Sequence, residues 1–575
     1  MDVGRRAVLI GGSAAVVGCV APGGQSGGRT QADLILHGGK VLTVDRAFSV
    51  RSAVAVKDGK ILAVGGAEIL TSYQAPRVID LRGRTLMPGF IDTHVHIYSV
   101  APRAIEPDKA RSIVELQDML RAKARELGPG EWITGYGWDE AQWIEKRNPT
   151  MADIDKVVPD NPVVLTRAGA HSGVGNALAF QRANISGETP DPASGMIEHG
   201  ADGKPSGIIR ERQDLLTRLV PLDTFDTLRT SYIAAIRRLL PLGITSFHSA
   251  STSIDDEPVG AGGSGREDDG LTYRRFRGIY DQHGSDLPRA TLYISYPGEE
   301  RLAAYPHATG YGDERVRIGS IGENLVDGGF TGPTAWLLAD YRGQPGFRGK
   351  GRFTDAALQA MVDSCNRHGW QMGLHAIGDA AIVQTVNAYA KSLTQLPRKD
   401  HRWFLAHFTI MPPAATMQTM ADNNIAIAQQ PNFTYNLEQR YRDTLDDWRL
   451  AHNNPIATPV KKYGIFTAFS SDNLPIDPRV GLYVAVSRKG SSGAVYGPDE
   501  RVSRQDAIRM YTANGAYLSR EESIKGVLEP GKLADMVVLD SDPLTAPESS
   551  LLTLNVDYTI VGGKIAYARP DARDR

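Results

Sequence analysis

Short apolar segments alternate with amphipathic segments through the middle of this chain, and this alternation restricts the possible folds more than any other feature. Apolar runs of this length are typical of buried strands, and the amphipathic segments have the period of a helix. Sustained β–α alternation predicts parallel strands with helices packed outside them. The ten candidate strands are 90–96, 132–136, 163–166, 244–248, 291–294, 318–326, 371–375, 404–407, 425–429 and 466–470.

About eight such β–α units over some 430 residues fit a (β/α)8 TIM barrel with insertions. A doubly wound parallel sheet is the alternative. Because ten candidate strands exceed eight, some of the first five are expected to belong to insertions. The Gly-rich stretch 255–269 is expected to be a loop.

The two ends of the chain differ from its middle, because both are rich in short strands. The segment Lys57-Asp58-Gly59-Lys60 predicts a tight hairpin, since Asp-Gly tolerates the positive φ that such turns need. Near the other end, a second hairpin is expected to turn at Gly562-Gly563. We therefore expect one small β-sandwich domain built from both terminal segments. The predicted domains are 32–87 and 524–568 for the sandwich, 88–523 for the barrel and 569–575 for a tail.

Residues 1–31 have the layout of an export signal followed by a Gly/Ser-rich tether. Arg5-Arg6 precedes a small and apolar run, which is too short to span a membrane. The Arg pair resembles a twin-arginine signal, and Val16-Val17-Gly18-Cys19 resembles a bacterial lipobox. We expect an exported bacterial protein, either periplasmic or anchored to the membrane through a lipid on Cys19. A plain signal peptide cleaved nearby, with Cys19 incidental, is the alternative.

Composition excludes some other classes of protein. Of the 575 residues, 41% are apolar and 23% charged, which is ordinary for a soluble globular protein. The formal net charge of −2 and the lack of a basic block give no case for a nucleic-acid partner. The two cysteines, Cys19 and Cys365, provide no disulfide framework.

Two histidines, His94 and His96, close the first candidate strand of the middle region. Residues i and i+2 of a strand point to the same face, so the two imidazoles are expected to project together. Such a pair suits one divalent metal ion. A lone His-x-His motif is common by chance, so this interpretation depends on further ligands elsewhere in the chain.

Three further polar residues stand just after later apolar strands, where barrel enzymes place their chemistry. His375 follows Met372-Gly373-Leu374, His407 follows Phe404-Leu405-Ala406, and Asp472 follows the pair Ser470-Ser471. Four histidines and one aspartate in equivalent positions predict a metal centre. Taken singly, each of the five is also compatible with a buried, hydrogen-bonded core residue.

These motifs together resemble the amidohydrolase superfamily, and within it the amidohydrolase 3 group of YtcJ-like and N-substituted formamide deformylase-like proteins. The resemblance covers nearly everything after the tether. The matching segments are Pro88 to His96, the His-Ser…Asn segment 171–176, His375-Ala376-Ile377-Gly378-Asp379, Ala406-His407, Ser470-Ser471-Asp472, and 528–535 near the C-terminus.

The resemblance implies a barrel fold, a metal centre and a hydrolytic reaction. The implied metal ligands are His94, His96, Glu323, His375, His407 and Asp472. One ion would lie on His94, His96 and Asp472 and a second on His375 and His407. Imidazole and carboxylate ligands suit Zn²⁺, with Mn²⁺, Fe²⁺ or Co²⁺ as alternatives. A metal-activated water would attack a carbonyl carbon, with Asp472 as the proton shuttle.

The sequence departs from the group at the fourth strand. The group usually carries a lysine four residues before an Asp-Gly pair, and this lysine can be carboxylated to bridge two metals. Here Glu323 stands at that position before Asp327-Gly328. Since a glutamate is already a carboxylate, we predict that Glu323 is the bridging ligand. The alternative is a shift of register that leaves Glu323 as a helix or loop carboxylate, with a single-metal site.

The reaction expected from this resemblance is hydrolysis of a carbon–nitrogen bond other than a peptide bond, in a small linear N-acyl or N-formyl amide. A cyclic amide hydrolase or deaminase is the alternative within the same chemistry, and a catalytically silent binding protein is the alternative outside it. His171 and His248 each follow a strand and are candidates for substrate contact or for support of the ligands, with a structural hydrogen bond as the other reading. Assembly into a homo-oligomer is common in the superfamily.

Overall fold

A computed structural model describes residues 29–97, 102–221, 225–254 and 271–572. The predicted signal, lipobox and most of the tether, together with the predicted loop 255–269, lie outside the described residues. Within the described ranges, none of the helices is both long enough and apolar enough to cross a lipid bilayer.

Eight parallel strands form the middle of the molecule as two four-stranded sheets, each with its strands in chain order. Parallel pairing of consecutive strands follows from the β–α alternation, because a helical crossover returns the chain to the same edge of the sheet. The first sheet contains Phe90–Val95, Ile244–Thr252, Arg289–Ile294 and Val316–Ile321. The second contains Gly373–Ala376, Phe404–His407, Ala426–Gln429 and Thr467–Phe469.

The two parallel sheets are linked on both sides. On one side, isolated parallel bridges pair Ile321 with Met372 and Leu325 with His375. On the other side, the Thr93 hydroxyl donates to the Phe469 carbonyl at 2.9 Å. These links bring the end of the fourth strand beside the fifth and the end of the first strand beside the eighth.

The helices between these strands bury one apolar face. In Asp355–Arg367, Thr354 accepts a hydrogen bond from the Ala357 amide as the N-cap, and Leu358, Met361 and Cys365 are buried at helical spacing. The longer helices of the described residues are Ile113–Leu127, Phe225–Arg237, Tyr273–His283, Asp355–Arg367, Asp379–Gln395, Ala414–Asp422 and Pro478–Ser487. Shorter ones include Glu438–Thr444, Arg504–Met510 and Ala513–Leu518.

A separate six-stranded sheet is inserted after the first parallel strand. It takes up the second and third candidate strands of the sequence, as Ile133–Trp138 and Val163–Arg167, which explains why ten candidates were found for eight parallel positions. Apolar residues of this sheet and of the helix Ile113–Leu127 form a core of their own. In spatial order the sheet contains Met196–His199, Pro205–Arg210, Ser172–Gly175, Val163–Arg167, Ile133–Trp138 and Ala104–Ile105.

The two ends of the chain meet in one mixed sheet, as expected from their composition. The predicted hairpin turns at Asp58 and Gly59, which have φ values of 50° and 75°, in the region that Asp-Gly tolerates. In spatial order this sheet contains Lys564–Ala568, Val556–Val561, Met536–Leu539, Thr85–Pro88, Leu34–Leu42, Val50–Lys57 and Lys60–Gly65, with Arg77–Asp80 also paired to Leu34–Leu42.

Candidate metal centre

His94 and His96 project from the end of the first parallel strand toward the same point, as their spacing predicted. Their ring centroids are 5.2 Å apart, and His94 is fully buried. Their Nε2 atoms lie 3.4 and 3.2 Å from Oε2 of Glu323. The His94 amide donates to the Asp92 carboxylate at 3.3 Å, which helps to fix the strand end.

His375 and His407 close the fifth and sixth parallel strands and approach the same glutamate from its other side. Nδ1 of His375 and Nε2 of His407 each lie 2.8 Å from Oε1 of Glu323. The two ring centroids are 4.3 Å apart. Burial lowers the pKa of His375 to about 3 and also lowers the pKa of His94, so both are neutral imidazoles with a lone pair to offer.

Glu323 therefore lies among four histidines, with one carboxylate oxygen toward each pair. It stands two residues beyond the strand Val316–Ile321, at the carboxyl edge of the sheet, and its side chain is 7% exposed. The predicted bridging residue therefore lies between the two histidine pairs, and its role as a bridging ligand stays a prediction.

Asp472 lies beside the first histidine pair. Its Oδ1 atom is 3.4 Å from Nε2 of His96, and its amide donates to the His94 carbonyl at 2.9 Å. Asp472 and His407 have φ values of 61° and 76°, which are rare for residues other than glycine. Such backbone strain is common where a side chain must be aimed at a functional site.

The outer nitrogens of the second histidine pair donate to protein oxygens. Nε2 of His375 donates to the Gly328 carbonyl at 3.4 Å, and Nδ1 of His407 donates to the Gln430 side-chain oxygen at 3.0 Å. When the outer nitrogen of each ring carries the N–H, the nitrogen that faces Glu323 can offer its lone pair to a metal ion. Partners of this kind set the orientation and the tautomer of metal-binding histidines.

The residues present fit a divalent cation. Nδ1 of His375 and Nε2 of His407 converge on one anionic oxygen at 2.8 Å, an arrangement of donor atoms that one cation can share. Both nitrogens of His94 and Oδ1 of Asp472 are buried without a hydrogen-bond partner in the described part of the chain. Two groups have ligand atoms close enough together for one ion: His94, His96 and Asp472, and His94, Glu323 and His407.

Two buried aspartates that the sequence analysis did not assign to the site hold its backbone. The Asp327 carboxylate accepts from the amides of Ile377, Gly378 and Trp336 at 2.8 to 3.0 Å. Asp92 accepts from the Ser471 amide at 3.0 Å as well as from His94. A signal for both was present in the sequence, because Asp92 precedes His94 by two residues and Asp327 begins the Asp-Gly pair.

His248 and His171 lie at different distances from the centre. The buried His248 makes a 3.3 Å hydrogen bond with the hydroxyl of Tyr293, whose ring centroid is 5.9 Å from that of His94. Burial lowers the pKa of His248 well below its usual value. His171 comes from the inserted sheet, and its ring centroid is 6.0 Å from that of His375. The sequence analysis named both as candidates for substrate contact or for support of the ligands, and neither faces Glu323 directly.

Comparison with known proteins gives one family and several long relatives. The family model described as "Amidohydrolase family" matches residues 77–567. The putative amidohydrolase YtcJ of Bacillus subtilis is 29% identical over 93% of this chain and 99% of its own length. N-substituted formamide deformylase of Arthrobacter pascens is 27% identical over 93% of this chain and 98% of its own. An uncharacterized metal-dependent hydrolase from Pyrococcus horikoshii has a similar fold, with a TM-score of 0.68 at 22% identity, covering 90% of this chain and 99% of that one.

Proposed function

This chain belongs to the amidohydrolase family, and we propose that it hydrolyses the carbon–nitrogen bond of a linear N-acyl or N-formyl amide. Membership confirms the resemblance drawn from the motifs and makes the chain a metal-dependent hydrolase of C–N bonds. One observation carries the proposal for the centre: the two oxygens of Glu323 face two histidine pairs. The full-length similarity to N-substituted formamide deformylase motivates the choice of an N-formyl substrate.

In this proposal the six predicted residues hold one or two ions. His94, His96 and Asp472 would hold the first ion, and His375 and His407 the second, with Glu323 between them. Nitrogen and oxygen ligands without a thiolate favour Zn²⁺, with Mn²⁺, Fe²⁺ and Co²⁺ as alternatives. When bound, the metal supplies Lewis-acid polarisation of the substrate carbonyl and acidifies a water molecule.

Asp472 is proposed as the residue that moves the proton. Its Oδ1 atom is buried, close to His96, and has no hydrogen-bond partner within the described residues. It takes a proton from the attacking water and delivers it to the amine nitrogen as the C–N bond breaks. Asp92 orients this carboxylate indirectly, because the same Asp92 oxygen accepts from the amides of His94 and Ser471.

The first test is the metal content per chain, measured by elemental analysis, of the wild type and of Glu323→Ala. Glu126→Ala, which changes an exposed glutamate on the inserted helix, serves as the control. We expect about two ions in the wild type and in the control, and the loss of one or both in Glu323→Ala. A content of about one ion per chain in both the wild type and Glu323→Ala would show that Glu323 does not bridge two ions and that the site is mononuclear.

A substrate panel then separates the remaining alternatives. It contains N-formyl amines, N-acetyl amines, cyclic amides and an aminopurine, each tested with the metal-loaded protein. Turnover of the linear amides supports the proposal, and turnover restricted to the cyclic amides or the aminopurine would favour the alternative reactions. A chain that binds no metal even after reconstitution would be the silent binding protein.

We also propose that the two parallel sheets form one closed (β/α)8 barrel. The isolated bridges from Ile321 and Leu325 link the sheets on one side, and the hydrogen bond from Thr93 to Phe469 links them on the other. All the proposed ligands would then lie at the carboxyl end of the barrel, where such enzymes carry their sites.

The terminal sheet is proposed to fold over as a small sandwich. The hairpin at Gly59 contacts the segment before Met536–Leu539, although Thr85–Pro88 and Leu34–Leu42 lie between them in the sheet order. The Ile61 amide donates to the Lys532 carbonyl, and the Ala534 amide donates to the Gly59 carbonyl. One apolar cluster contains side chains from both ends of this sheet.

Export through the predicted signal is a separate proposal, tested by fractionation of cells that express the full chain and its Cys19→Ser variant.

A further inference from the structure

His171, one residue before the strand Ser172–Gly175 of the inserted sheet, lies beside the metal centre. We propose that Nε2 of His171 accepts a hydrogen bond from the amide N–H of the substrate, so that the enzyme selects primary and secondary amides over tertiary ones. This inference rests on the proposed function and adds a substrate class to it. It also gives the inserted sheet a role in recognition.

The position of His171 carries the first part of the argument. Its ring centroid is 6.0 Å from that of His375, and His375 faces Oε1 of Glu323. Asp472 lies with His96 on the Oε2 side of the same carboxylate. His171 therefore neighbours the histidine pair at Oε1 of Glu323, and the proposed proton shuttle neighbours the pair at Oε2. A linear amide that spans the centre would reach both.

The hydrogen bond to Glu211 fixes which nitrogen of His171 carries the proton. Nδ1 of His171 lies 3.2 Å from the Glu211 carboxylate, which also receives the Thr334 hydroxyl and the Arg352 guanidinium. A carboxylate only accepts hydrogen bonds, so the proton lies on Nδ1. In the neutral imidazole, Nε2 is then an acceptor.

Nε2 of His171 is the atom left for a ligand. His171 is 8% exposed, and among the described residues Nε2 has no hydrogen-bond partner. An accessible acceptor without a protein partner at the edge of a site is typically paired by a ligand or by water. The ring is held closely, because a Cβ atom added to Gly329 would come within 2.7 Å of Nε2.

The chemistry of a linear amide leaves the N–H for this acceptor. The carbonyl oxygen of the substrate is the atom that a metal ion polarises. The remaining polar group near the reacting bond is the N–H, which primary and secondary amides have and tertiary amides lack. Sites that hydrogen-bond a polar group discriminate strongly against the analogue that lacks it. We expect about a tenfold to hundredfold preference from one such bond.

The test compares one pair of amides on matched variants. The amides are N-cyclohexylformamide and N-cyclohexyl-N-methylformamide, and the readout is the ratio of their kcat/KM values with metal-loaded protein. His171→Phe removes the acceptor, and His171→Gln retains one on its side-chain oxygen. His199→Phe, an exposed position in the same inserted sheet, is the control.

We expect the ratio to favour the secondary amide in the wild type and in His199→Phe, to fall toward one in His171→Phe, and to recover in part in His171→Gln. A ratio that is the same in His171→Phe and the wild type would overturn the inference. Equal losses of activity on both amides would overturn it too, because they would make His171 a donor to the carbonyl or a structural residue.

A binding measurement distinguishes failure of this inference from failure of the proposed function. Titration calorimetry gives the affinity of the same two amides for metal-loaded wild type and His171→Phe, whether or not either is hydrolysed. A preference for the secondary amide that is lost in His171→Phe supports the inference even if the wild type hydrolyses neither compound. Binding that does not depend on the N–H, or no binding of either amide, rejects it.

Discussion

His407 and Gln430 are joined by a hydrogen bond of 3.0 Å that determines which imidazole nitrogen faces the centre. Nε2 of Gln430 donates to the Ser470 hydroxyl at 2.9 Å, and this hydroxyl in turn donates to the Gln429 carbonyl at 3.2 Å. The amide of Gln430 can therefore point only one way, with its oxygen toward His407. The proton of His407 lies on Nδ1, and Nε2 offers its lone pair beside Glu323.

The first prediction follows from this chain of hydrogen bonds. Replacement of Gln430 by leucine removes the acceptor, so the tautomer and the ring orientation of His407 are no longer fixed. Because residues that orient metal-binding histidines typically contribute this much, we expect metal affinity to fall by about 10- to 100-fold. Competition with a chelator of known affinity measures it. An unchanged metal affinity in Gln430→Leu would show that the hydrogen bond from His407 to Gln430 has no influence on the metal centre.

The positions of the four candidate histidines and of Asp472 could be predicted from the sequence because each follows an apolar strand. The same rule could not find Gln430, since an uncharged amide beside a strand has no distinctive pattern and its role depends on the ring opposite. The pairing of His171 with Glu211 was hidden for a similar reason, because 40 residues separate them and only antiparallel pairing of Ser172–Gly175 with Pro205–Arg210 brings them together.

Local sequence was also insufficient to assign Ile133–Trp138 and Val163–Arg167. Their apolar residues have the same appearance as those of the parallel strands in the middle of the molecule. Hydrogen-bonded neighbours, which the sequence does not reveal, place them in the inserted sheet. Glu323 was located by its distance from Asp327-Gly328, because no apolar residue stands directly before it to mark a strand end.

The second prediction concerns Asp472. Asp472→Asn retains an oxygen that can face a metal ion but removes the group that takes up a proton. We expect kcat to fall by about 10²- to 10⁴-fold, while metal content changes much less. Steady-state kinetics and elemental analysis on the same preparation measure both, with the exposed Asp499→Asn as the control. Parallel loss of metal and activity would instead make Asp472 chiefly a ligand.

The third prediction is a pH dependence of stability that comes from Glu211. Burial alone would raise the pKa of this carboxyl, but the hydrogen bond from His171 and the charge of Arg352 lower it from 4.5 to about 2. A carboxyl with a depressed folded-state pKa stabilises the fold above pH 4.5, and this contribution is lost as the pH falls toward 2. The contribution at neutral pH is roughly 3 kcal/mol.

Urea unfolding of metal-free wild type and Glu211→Gln between pH 7 and pH 2.5 tests this prediction. We expect Glu211→Gln to be less stable at pH 7 and the difference between the two proteins to shrink below pH 4.5. Removing the metal from both proteins excludes its release in acid as the cause. A difference that is constant across this range would mean that Glu211 acts through packing and not through its charge.

The fourth prediction concerns the metal itself. Nδ1 of His375 and Nε2 of His407 each lie 2.8 Å from the same oxygen of Glu323, so these three groups can share one cation, which would bind the folded chain and not the unfolded one. Addition of Zn²⁺ at 100 times its dissociation constant should therefore stabilise the chelator-treated wild type by about 2.7 kcal/mol. The rise in melting temperature on adding Zn²⁺ measures this effect. His94→Ala, which removes a member of both candidate ligand groups, should show a much smaller rise, whereas His199→Phe should respond like the wild type. An equal rise in all three proteins would place the stabilising ion elsewhere on the chain.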